Sequence, residues 1–279
     1  MTADKPTSDP DTSATAEFSA LDRPGHGGLP SAPSEDLRNQ LPGLEAERRL
    51  TDWGRSQRIE SLVDRTLYGF LYHYWFRVEV EGVENIPGAG GALLLANRAG
   101  LAPSDGAMIA KAVRDEHPRR RTVHLATERS FKRVPGLGML VTKVGGVLAH
   151  PANLHRLMFD EREIVLAFPE GARGARKPLK ERYRLRSFDA RFVNAAAQAH
   201  VPIVPLAVLG AEESLPVVGR LGPLNRLPIS PGLPLPAKFR IRFLEPIPAD
   251  VKPSAEEIRA LIQENLLEMV GARRSVWLG

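Results

Sequence analysis

The sequence predicts an α/β fold with a mainly parallel central sheet and helices on both faces, preceded by an N-terminal helical segment and a disordered tail. Short apolar runs alternate with helical patterns along the chain, which is typical of parallel α/β domains. The runs at 91–97 and 164–168 are apolar almost throughout, as strands covered on both faces are. Polar residues follow both runs, at the strand ends where open α/β sheets bind ligands.

The first 76 residues divide into a tail and a helical segment. Residues 1–43 are rich in Pro, Gly, Ser, Thr and Asp and lack apolar periodicity, so we expect a disordered tail. Residues 44–76 have an apolar stripe at helical spacing, which predicts a helical segment packed on the main domain. Because Tyr and Trp favour membrane interfaces, contact with a membrane is the alternative. The stripe comprises Leu62, Leu67, Phe70, Leu71, Tyr74 and Trp75.

Residues 77–279 are expected to form the α/β domain. Apolar or alternating runs predict strands at 77–83, 91–97, 122–126, 145–149, 164–168, 201–208 and 239–243. Helical spacing predicts helices at 106–115, 137–144, 153–160, 188–199 and 254–270. Ser254, with Glu257 three residues on, forms a capping box for the last helix. Arg alternates with apolar residues in 239–243, which indicates an edge strand, and the Pro-rich segment 216–236 is interpreted as a loop.

The charge distribution favours anionic partners. The chain has a formal net charge of +5, but residues 1–49 hold five basic and nine acidic side chains, which leaves residues 50–279 strongly basic. Such a body attracts phosphates, nucleic acid or an anionic membrane surface. The absence of cysteine excludes disulfides and thiolate nucleophiles, and the seven histidines have no metal-ligand spacing. No transmembrane run or signal peptide is visible, so we expect a cytoplasmic protein, peripheral at the membrane inner face.

The segment 164–174 predicts a ligand site at a strand end. Pro169 cannot continue a sheet ladder. Gly171 and Gly174 permit a tight turn with positive φ, which presents Glu170 and Arg173. A carboxylate and a guanidinium on one short turn suit a ligand that carries both a hydroxyl and a phosphate. An ion pair between Glu170 and Arg173 across a surface turn is the alternative interpretation.

Several blocks of sequence resemble the PlsC-like glycerolipid and lysophospholipid acyltransferase superfamily. Residues 168–173, Phe-Pro-Glu-Gly-Ala-Arg, are similar to its Phe-Pro-Glu-Gly-Thr-Arg block. Residues 135–138 with 145–146 resemble its second block, and residues 201–205 resemble the proline-containing strand of its fourth. The resemblance covers roughly residues 70–245 and implies a 1-acylglycerol-3-phosphate O-acyltransferase-like domain, with a role in phospholipid biosynthesis and lipid metabolism.

The first block departs from the family pattern. The family carries a His, four intervening residues and an Asp, after an apolar strand and commonly an Asn. Here Asn97 is present and Arg98 occupies the place after it, where the His is missing. Asp105 stands for the family's Asp, and Gly100 lies five residues before it. The family's His is a general base, a role closed to Arg because a guanidinium stays protonated. The other candidates for a base are Asp105 itself, His124 and His150.

The resemblance implies a role for each matched residue. Arg98 and Asp105 would be catalytic. The residues that would bind the glycerol phosphate are Asn97, Glu170, Gly171, Arg173, Lys177 and Arg182. Arg173 offers two-pronged donors to phosphate oxygens, and Gly171 lets the backbone approach the ligand. Acyl-CoA or acyl carrier protein would be the co-substrate, with no cofactor, metal ion or covalent enzyme intermediate.

Three functions are open at this point. The first is an active lysophospholipid O-acyltransferase that acylates a glycerol-phosphate-type hydroxyl. The second is an inactive relative that binds phospholipid or acyl thioester, with Arg98 as an added phosphate contact. The third is a basic nucleic-acid-binding domain. The sequence has no nucleic-acid motif and no aromatics interleaved with its basic runs, so we expect no nucleic-acid partner.

Deleting residues 1–43 is expected to leave the thermal midpoint nearly unchanged, because their composition contributes nothing to a core. The measurement is a pair of thermal unfolding curves, one for the full chain and one for the truncated chain. A fall of several degrees after truncation would show instead that this segment packs on the domain.

Overall fold

The computed structural model describes residues 51–98, 104–128, 137–217, 219–221, 227–229 and 233–273. The expected tail over 1–43 lies outside these residues, as do 135–136 of the second block. Within the described ranges, no helix has both the length and the apolar character needed to cross a membrane.

Nine strands and eight α-helices lie in these ranges. The strands are β1 Glu79–Glu81, β2 Ala92–Ala96, β3 Val123–Thr127, β4 Gly146–Leu148, β5 Ile164–Ala167, β6 Ile203–Leu209, β7 Gly219–Leu221, β8 Leu227–Ile229 and β9 Arg240–Phe243. The α-helices are α1 Gln57–Val63, α2 Ser104–Glu116, α3 Leu137–Lys143, α4 Pro151–His155, α5 Ala172–Ala175, α6 Ala190–Gln198, α7 Ala211–Ser214 and α8 Ala255–Ala272. Short π-helical or 3₁₀ turns lie at Asp64–Tyr68, Leu71–Trp75, Val83–Asn85, Arg156–Asp160 and Leu179–Glu181.

Seven of the described strands form one sheet, in the order β1-β9-β6-β2-β5-β3-β4. Neighbouring strands are parallel except for the antiparallel pair β6 and β9. The apolar strands β2 and β5 lie side by side at the centre of the sheet. This arrangement confirms the predicted α/β fold with a mainly parallel sheet.

Helices cover both faces of the sheet, as predicted. Along β2, Leu93 and Leu95 point into one core, whereas Ala92, Leu94 and Ala96 point into the other. Helices α4, α6 and α8 contribute to the first core. Helix α2 and the N-terminal helical segment contribute to the second. Coverage on both faces explains why the central strands are apolar without alternation.

Strand β9 is an interior strand, so the prediction of an edge strand at 239–243 is wrong. It pairs with β1 in parallel register, Glu79 opposite Arg240 and Glu81 opposite Arg242. Each arginine Nε donates to the facing carboxylate, at 2.9 and 2.7 Å. The alternating arginines of β9 therefore form cross-strand ion pairs. The sequence of β9 alone does not show whether such arginines face a neighbouring strand or solvent.

The N-terminal helical segment divides its apolar stripe between the domain and the surface. Residues 51–56 are not helical, and a helix begins at Gln57, where Ser56 caps it by accepting the N–H of Ile59. Residues 44–50 of the predicted segment lie outside the described residues. At its end, Phe76 is buried and stacks on Phe239, with ring centroids 4.2 Å apart. The exposed members of the stripe are Leu62, Leu67, Phe70 and Tyr74.

The segment 216–236 is not all loop, because it contains the antiparallel hairpin of β7 and β8. Arg220 faces Pro228 across this hairpin, which is separate from the main sheet. A two-stranded hairpin has only edge strands, and these tolerate a proline because one row of backbone N–H groups needs no partner. The proline content therefore concealed two short strands.

His124 lies in β3 and is buried, and its Nδ1 has no hydrogen-bond partner among the described residues. Burial, and after it the positive charge of Arg55, lowers the pKa of His124 to about 4, against an opposing effect of Glu60. The side chain is therefore neutral at pH 7, and it charges only at a cost to the folded state.

Lowering the pH from 7 to 5 is expected to destabilise the protein through His124. Its pKa is lower in the folded chain than in the unfolded chain, so protons bind the unfolded state preferentially as the pH falls below about 6.5. The free energy of unfolding should lose about 2 kcal/mol at pH 5 through this residue. His124→Leu should remove that part of the pH dependence in urea unfolding curves. An unchanged pH dependence would contradict the neutral buried ring.

Candidate active site

A cavity of about 560 Å³ opens at the carboxyl ends of β2, β3, β4 and β5. Parallel strands bring these ends to one edge of the sheet, where open α/β folds bind ligands. The arginines on its wall are Arg98, Arg173, Arg176 and Arg191. The carboxylates on its wall are Glu128, Glu170 and Asp189. The cavity is therefore suited to an anionic ligand held by directed donors.

Arg98 and Asp105, the two residues matched to the first block, lie together despite their wide spacing in the sequence. Arg98 Nη1 is 3.8 Å from Asp105 Oδ1, and its guanidinium lies over the Phe168 ring, 4.8 Å from the centroid. Asp105 is fully buried in the first turn of α2, where the helix N-terminus stabilises a negative charge. Its Oδ1 also accepts the N–H of Gly106 at 2.8 Å.

Asn97 is a neighbour of the cavity and is not among its described wall residues. Its Nδ2 donates to the carbonyl of Val208 at 3.0 Å, and its Oδ1 accepts the N–H of Val208 at 2.7 Å. The amide thus extends the pairing of β2 with β6 by one residue. This clamp sets the point at which the chain leaves the sheet and places Arg98 at the cavity.

Glu170 and Arg173 have separate partners, so the surface-turn ion pair is not formed between these two described residues. Glu170 is buried, and its two oxygens accept the N–H groups of Arg98 at 2.9 Å and Arg186 at 2.7 Å. Arg173 is exposed at the cavity wall and donates to the carbonyl of Ser187 at 3.2 Å. After β5, Glu170 therefore fixes the backbone at Arg98 and Arg186, whereas the Arg173 guanidinium is accessible to a ligand in the cavity.

Gly171 has the positive φ that the sequence predicted for a tight turn, at +57°. The same prediction is wrong for Gly174, which lies inside the helix α5 and has no positive φ. A Cβ at this position would lie 2.6 Å from Glu128 Oε1. That oxygen accepts the N–H of Ala172 at 2.9 Å, which ties the turn to the end of β3. A larger residue would strain the turn and displace Glu128, so the glycine is required by geometry.

Lys177 and Arg182 do not lie on the wall of the large cavity as it is described. Both line a separate small cavity of about 10 Å³, together with Glu212. Lys177 is buried between two carboxylates, with Nζ 3.4 Å from Glu170 Oε2 and 2.7 Å from Glu212 Oε1. Its ammonium is therefore already paired inside the protein.

The two candidate histidines differ in their relation to the cavity. His150 lies on the wall and caps α4, where its Nδ1 accepts the N–H of Ala152 at 3.3 Å. His124 is buried in β3 and is not among the described wall residues. Over the described ranges, no group of three or more His, Cys, Asp or Glu side chains could hold a metal ion.

Arg176 and Arg191 are wall residues that sequence reasoning did not single out. Arg176 directly follows α5. Arg191 lies in the first turn of α6, where its Nε and Nη2 donate to Asp189 at 2.8 and 2.6 Å. The sequence feature that could have indicated them is the basic run 170–191, which has eight basic and three acidic side chains. Which of these basic residues reach the cavity depends on how α5 and α6 turn the chain.

Comparison with solved structures finds the same fold in an acyltransferase. The crystal structure of the 1-acyl-sn-glycerophosphate (LPA) acyltransferase PlsC from Thermotoga maritima superposes with a TM-score of 0.54, over 78% of this chain and 80% of that chain. The two sequences are 20% identical over this match, so the likeness concerns the fold.

Sequence comparison finds closer relatives. An uncharacterized protein of Mycobacterium tuberculosis is 36% identical, over 87% of this chain and 75% of the relative. A protein of Gallus gallus described as a DGAT1/2-independent enzyme synthesizing storage lipids is 28% identical, over 72% of this chain and 61% of the relative. The family model described as Acyltransferase matches residues 77–209, from just before β1 to the end of β6. By its sequence blocks, the family model and the mycobacterial relative, the chain belongs to the PlsC-like acyltransferase superfamily.

Proposed function

We propose that this protein moves an acyl chain from an acyl thioester, acyl-CoA or acyl carrier protein, to a hydroxyl of a glycerol-phosphate-type lipid. The observation that supports this function is the Arg98–Asp105 pair at an arginine-lined cavity, in the place of the family's first block. The names of the Thermotoga and Gallus relatives describe an LPA acyltransferase and a storage-lipid enzyme, and both agree with a lipid acceptor here.

Arg98 and Arg173 would hold the acceptor's phosphate. Both line the cavity, and a guanidinium binds phosphate oxygens through two parallel N–H donors. Arg176 and Arg191 lie on the same wall and would attract the phosphate groups of the acyl donor. This assignment gives all four wall arginines anionic partners.

The reaction forms an ester bond between the acceptor oxygen and the acyl carbonyl carbon, and it breaks the thioester C–S bond. The acceptor hydroxyl gives up a proton as it attacks, and the thiol leaves with one. We assign the intermediate acceptance of that proton to Asp105, because its carboxylate lies beside the guanidinium that would hold the phosphate. A carboxylate paired with a guanidinium is a weak base, so we expect slow turnover.

A second candidate function is binding of phospholipid or acyl thioester without turnover. Arg98 favours it, because a guanidinium cannot take the proton that the family's His takes. The geometry of the two candidate histidines also supports this function. His124 is buried in β3, and the Nδ1 lone pair of His150 is occupied by the Ala152 N–H.

We also propose that the protein binds peripherally to an anionic membrane surface, at the cytoplasmic inner face. The N-terminal helical segment exposes Leu67, Phe70 and Tyr74 to the surroundings. Residues 50–279 carry the excess of basic side chains. Exposed apolar groups enter the interface, and basic groups attract anionic headgroups.

Arg98→Ala is expected to weaken lysophosphatidic acid binding roughly ten- to a hundred-fold, because it removes a charge-assisted contact to phosphate. Titration calorimetry measures the affinity. Arg240→Ala is the control, since it removes a guanidinium that is paired with Glu79 on the sheet surface. Equal affinities in Arg98→Ala and the native protein would contradict the assigned site.

The same series separates the two candidate functions when turnover is measured with labelled acyl-CoA and a panel of lysophospholipids. Asp105→Asn should abolish turnover and leave binding nearly intact, because the amide keeps the shape of the carboxylate and loses the base. Arg98→His restores the family's residue next to Asn97. Turnover in Arg98→His alone would establish that the native protein has lost catalysis.

Binding to anionic vesicles is expected to weaken as salt rises, because exposed charges are screened beyond about 8 Å at physiological ionic strength. Phe70→Ser should weaken it further at every salt concentration, since it removes an apolar group from the interface. Leu267→Ser is the matched control, an equally exposed apolar residue on α8, which packs on the opposite face of the sheet. Salt-independent binding, or equal effects of both variants, would contradict this mode of attachment.

A further inference from the structure

The N-terminal helical segment runs from one edge of the sheet to the other. Helix α2 connects β2 to the parallel β3, so Arg114 in its last turn lies at the edge opposite the cavity. Glu60 in α1 pairs with Arg114 at 3.1 Å, which places the start of the segment at that edge. At the other end, the carbonyl of Phe76 accepts the N–H of Phe239, directly before β9. Because β9 is antiparallel to β6, the segment ends at the carboxyl end of β6, on the same edge as the cavity.

Exposed apolar side chains gather where the segment ends. Phe70 and Tyr74 are 49% and 75% exposed, and their ring centroids lie 6.2 Å apart. Trp75 is half-buried beside Phe70, and its Nε1 donates to the carbonyl of Pro234 at 3.0 Å. Leu233, the residue before that proline, is 79% exposed. Two segments that are distant in the sequence therefore form one apolar patch, which comprises Phe70, Tyr74, Trp75 and Leu233.

Leu233 is held in its exposed position by the hydrogen bonds of the residues that follow it. Trp75 binds the Pro234 carbonyl, and the N–H of Leu235 donates to the carbonyl of Ser214 at 2.7 Å. Ser214 is fully buried in α7, the helix directly after β6. Single exposed apolar residues are common, whereas a contiguous patch of them marks an interaction surface.

Basic side chains lie beside the apolar patch at the same edge. The loop after α5 is fixed to α7, because the N–H of Tyr183 donates to Glu212 at 2.8 Å. The residues on either side of that contact, Arg182 and Arg184, are exposed. Arg173 is exposed at the cavity wall. The edge therefore passes from an apolar patch, through exposed guanidinium groups, to the arginine-lined cavity.

We propose that this edge of the sheet contacts an anionic bilayer, with Leu233 as a second apolar anchor beside the N-terminal helical segment. The inference rests on the membrane binding proposed above, and it adds the orientation of the bound protein. Tyr and Trp favour the membrane interface, and guanidinium groups attract anionic headgroups, so both parts of the edge match this partner. The cavity then opens towards the headgroups, and a lysolipid reaches Arg98 and Arg173 directly from the bilayer.

The test uses single cysteine variants that carry an environment-sensitive fluorophore, since the chain itself contains no cysteine. Leu233→Cys places the label on the apolar patch. Leu62→Cys is the matched control, because Leu62 is 59% exposed on α1, where the segment starts at the opposite edge. With vesicles of phosphatidylglycerol and phosphatidylcholine, spin-labelled lipids should quench the label at position 233 and leave the label at position 62 unquenched. Equal quenching at both positions would overturn the proposal.

Vesicle affinity provides a second measurement on the full chain. Leu233→Ser should weaken binding roughly three- to tenfold, because less apolar surface leaves water on binding. Leu62→Ser should leave the affinity unchanged. Arg184→Ala should weaken binding to anionic vesicles about fivefold and leave binding to phosphatidylcholine vesicles unchanged. If Leu233→Ser instead dissociates a dimer in sedimentation and leaves vesicle affinity unchanged, the patch joins two copies of the chain and the proposal is wrong.

The same measurements keep the orientation distinct from the functions proposed above. A native chain that does not bind vesicles would overturn both membrane binding and the orientation. Vesicle binding with the label at position 233 still in water would overturn the orientation alone. Turnover of a lysolipid embedded in vesicles should fall in Leu233→Ser, whereas turnover of a water-soluble, short-chain lysolipid should not. Absent turnover in the native protein would refute acyl transfer, while the labels would still decide which edge meets the bilayer.

Discussion

The structure around the cavity depends on one buried carboxylate, Glu170, and its two backbone hydrogen bonds. It joins the loop after β2 to the loop before α6, through the amides of Arg98 and Arg186. Both bonds are made to main-chain groups, so they do not depend on the side chain at either position. The shape of this part of the cavity therefore does not depend on the side chain at position 98. Gly174 packs close beneath, since a Cβ there would lie 2.7 Å from Arg98 Cβ.

The Arg98 side chain bears on the chemistry of this part of the cavity more than on its architecture. Asp105 is fully buried, and a buried carboxylate without a partner is strongly destabilising. Arg98, at 3.8 Å, provides a permanent positive charge where an imidazole would provide an exchangeable proton. The pair is thereby suited to anchoring an anion.

Much of the fold and part of the site were predictable from local patterns. The apolar runs located the central strands β2 and β5, the Ser254–Glu257 capping box located the start of α8, and Gly171 has the positive φ that its turn required. The predictions that were wrong concerned segments whose structure depends on the strand beside them. The arginines of β9 indicated an edge strand, yet they face the carboxylates of β1. Prolines in 216–236 concealed a hairpin because they are tolerated in edge strands.

The sequence by itself determined the α/β class and the positions of the apolar strands along the chain. It also determined the blocks that resemble the family and the arginine that follows Asn97. Whether a strand or a turn forms depends largely on the residues within it, through their burial and their allowed backbone dihedral angles. These features can therefore be predicted from composition and spacing. Only the tertiary structure decided that Arg98 meets Asp105, that Glu170 holds the Arg98 backbone, and that Lys177 is shared with Glu212. Such contacts join residues far apart in the chain. Any of several basic and acidic side chains could have made them, and the folded geometry alone selects the partners.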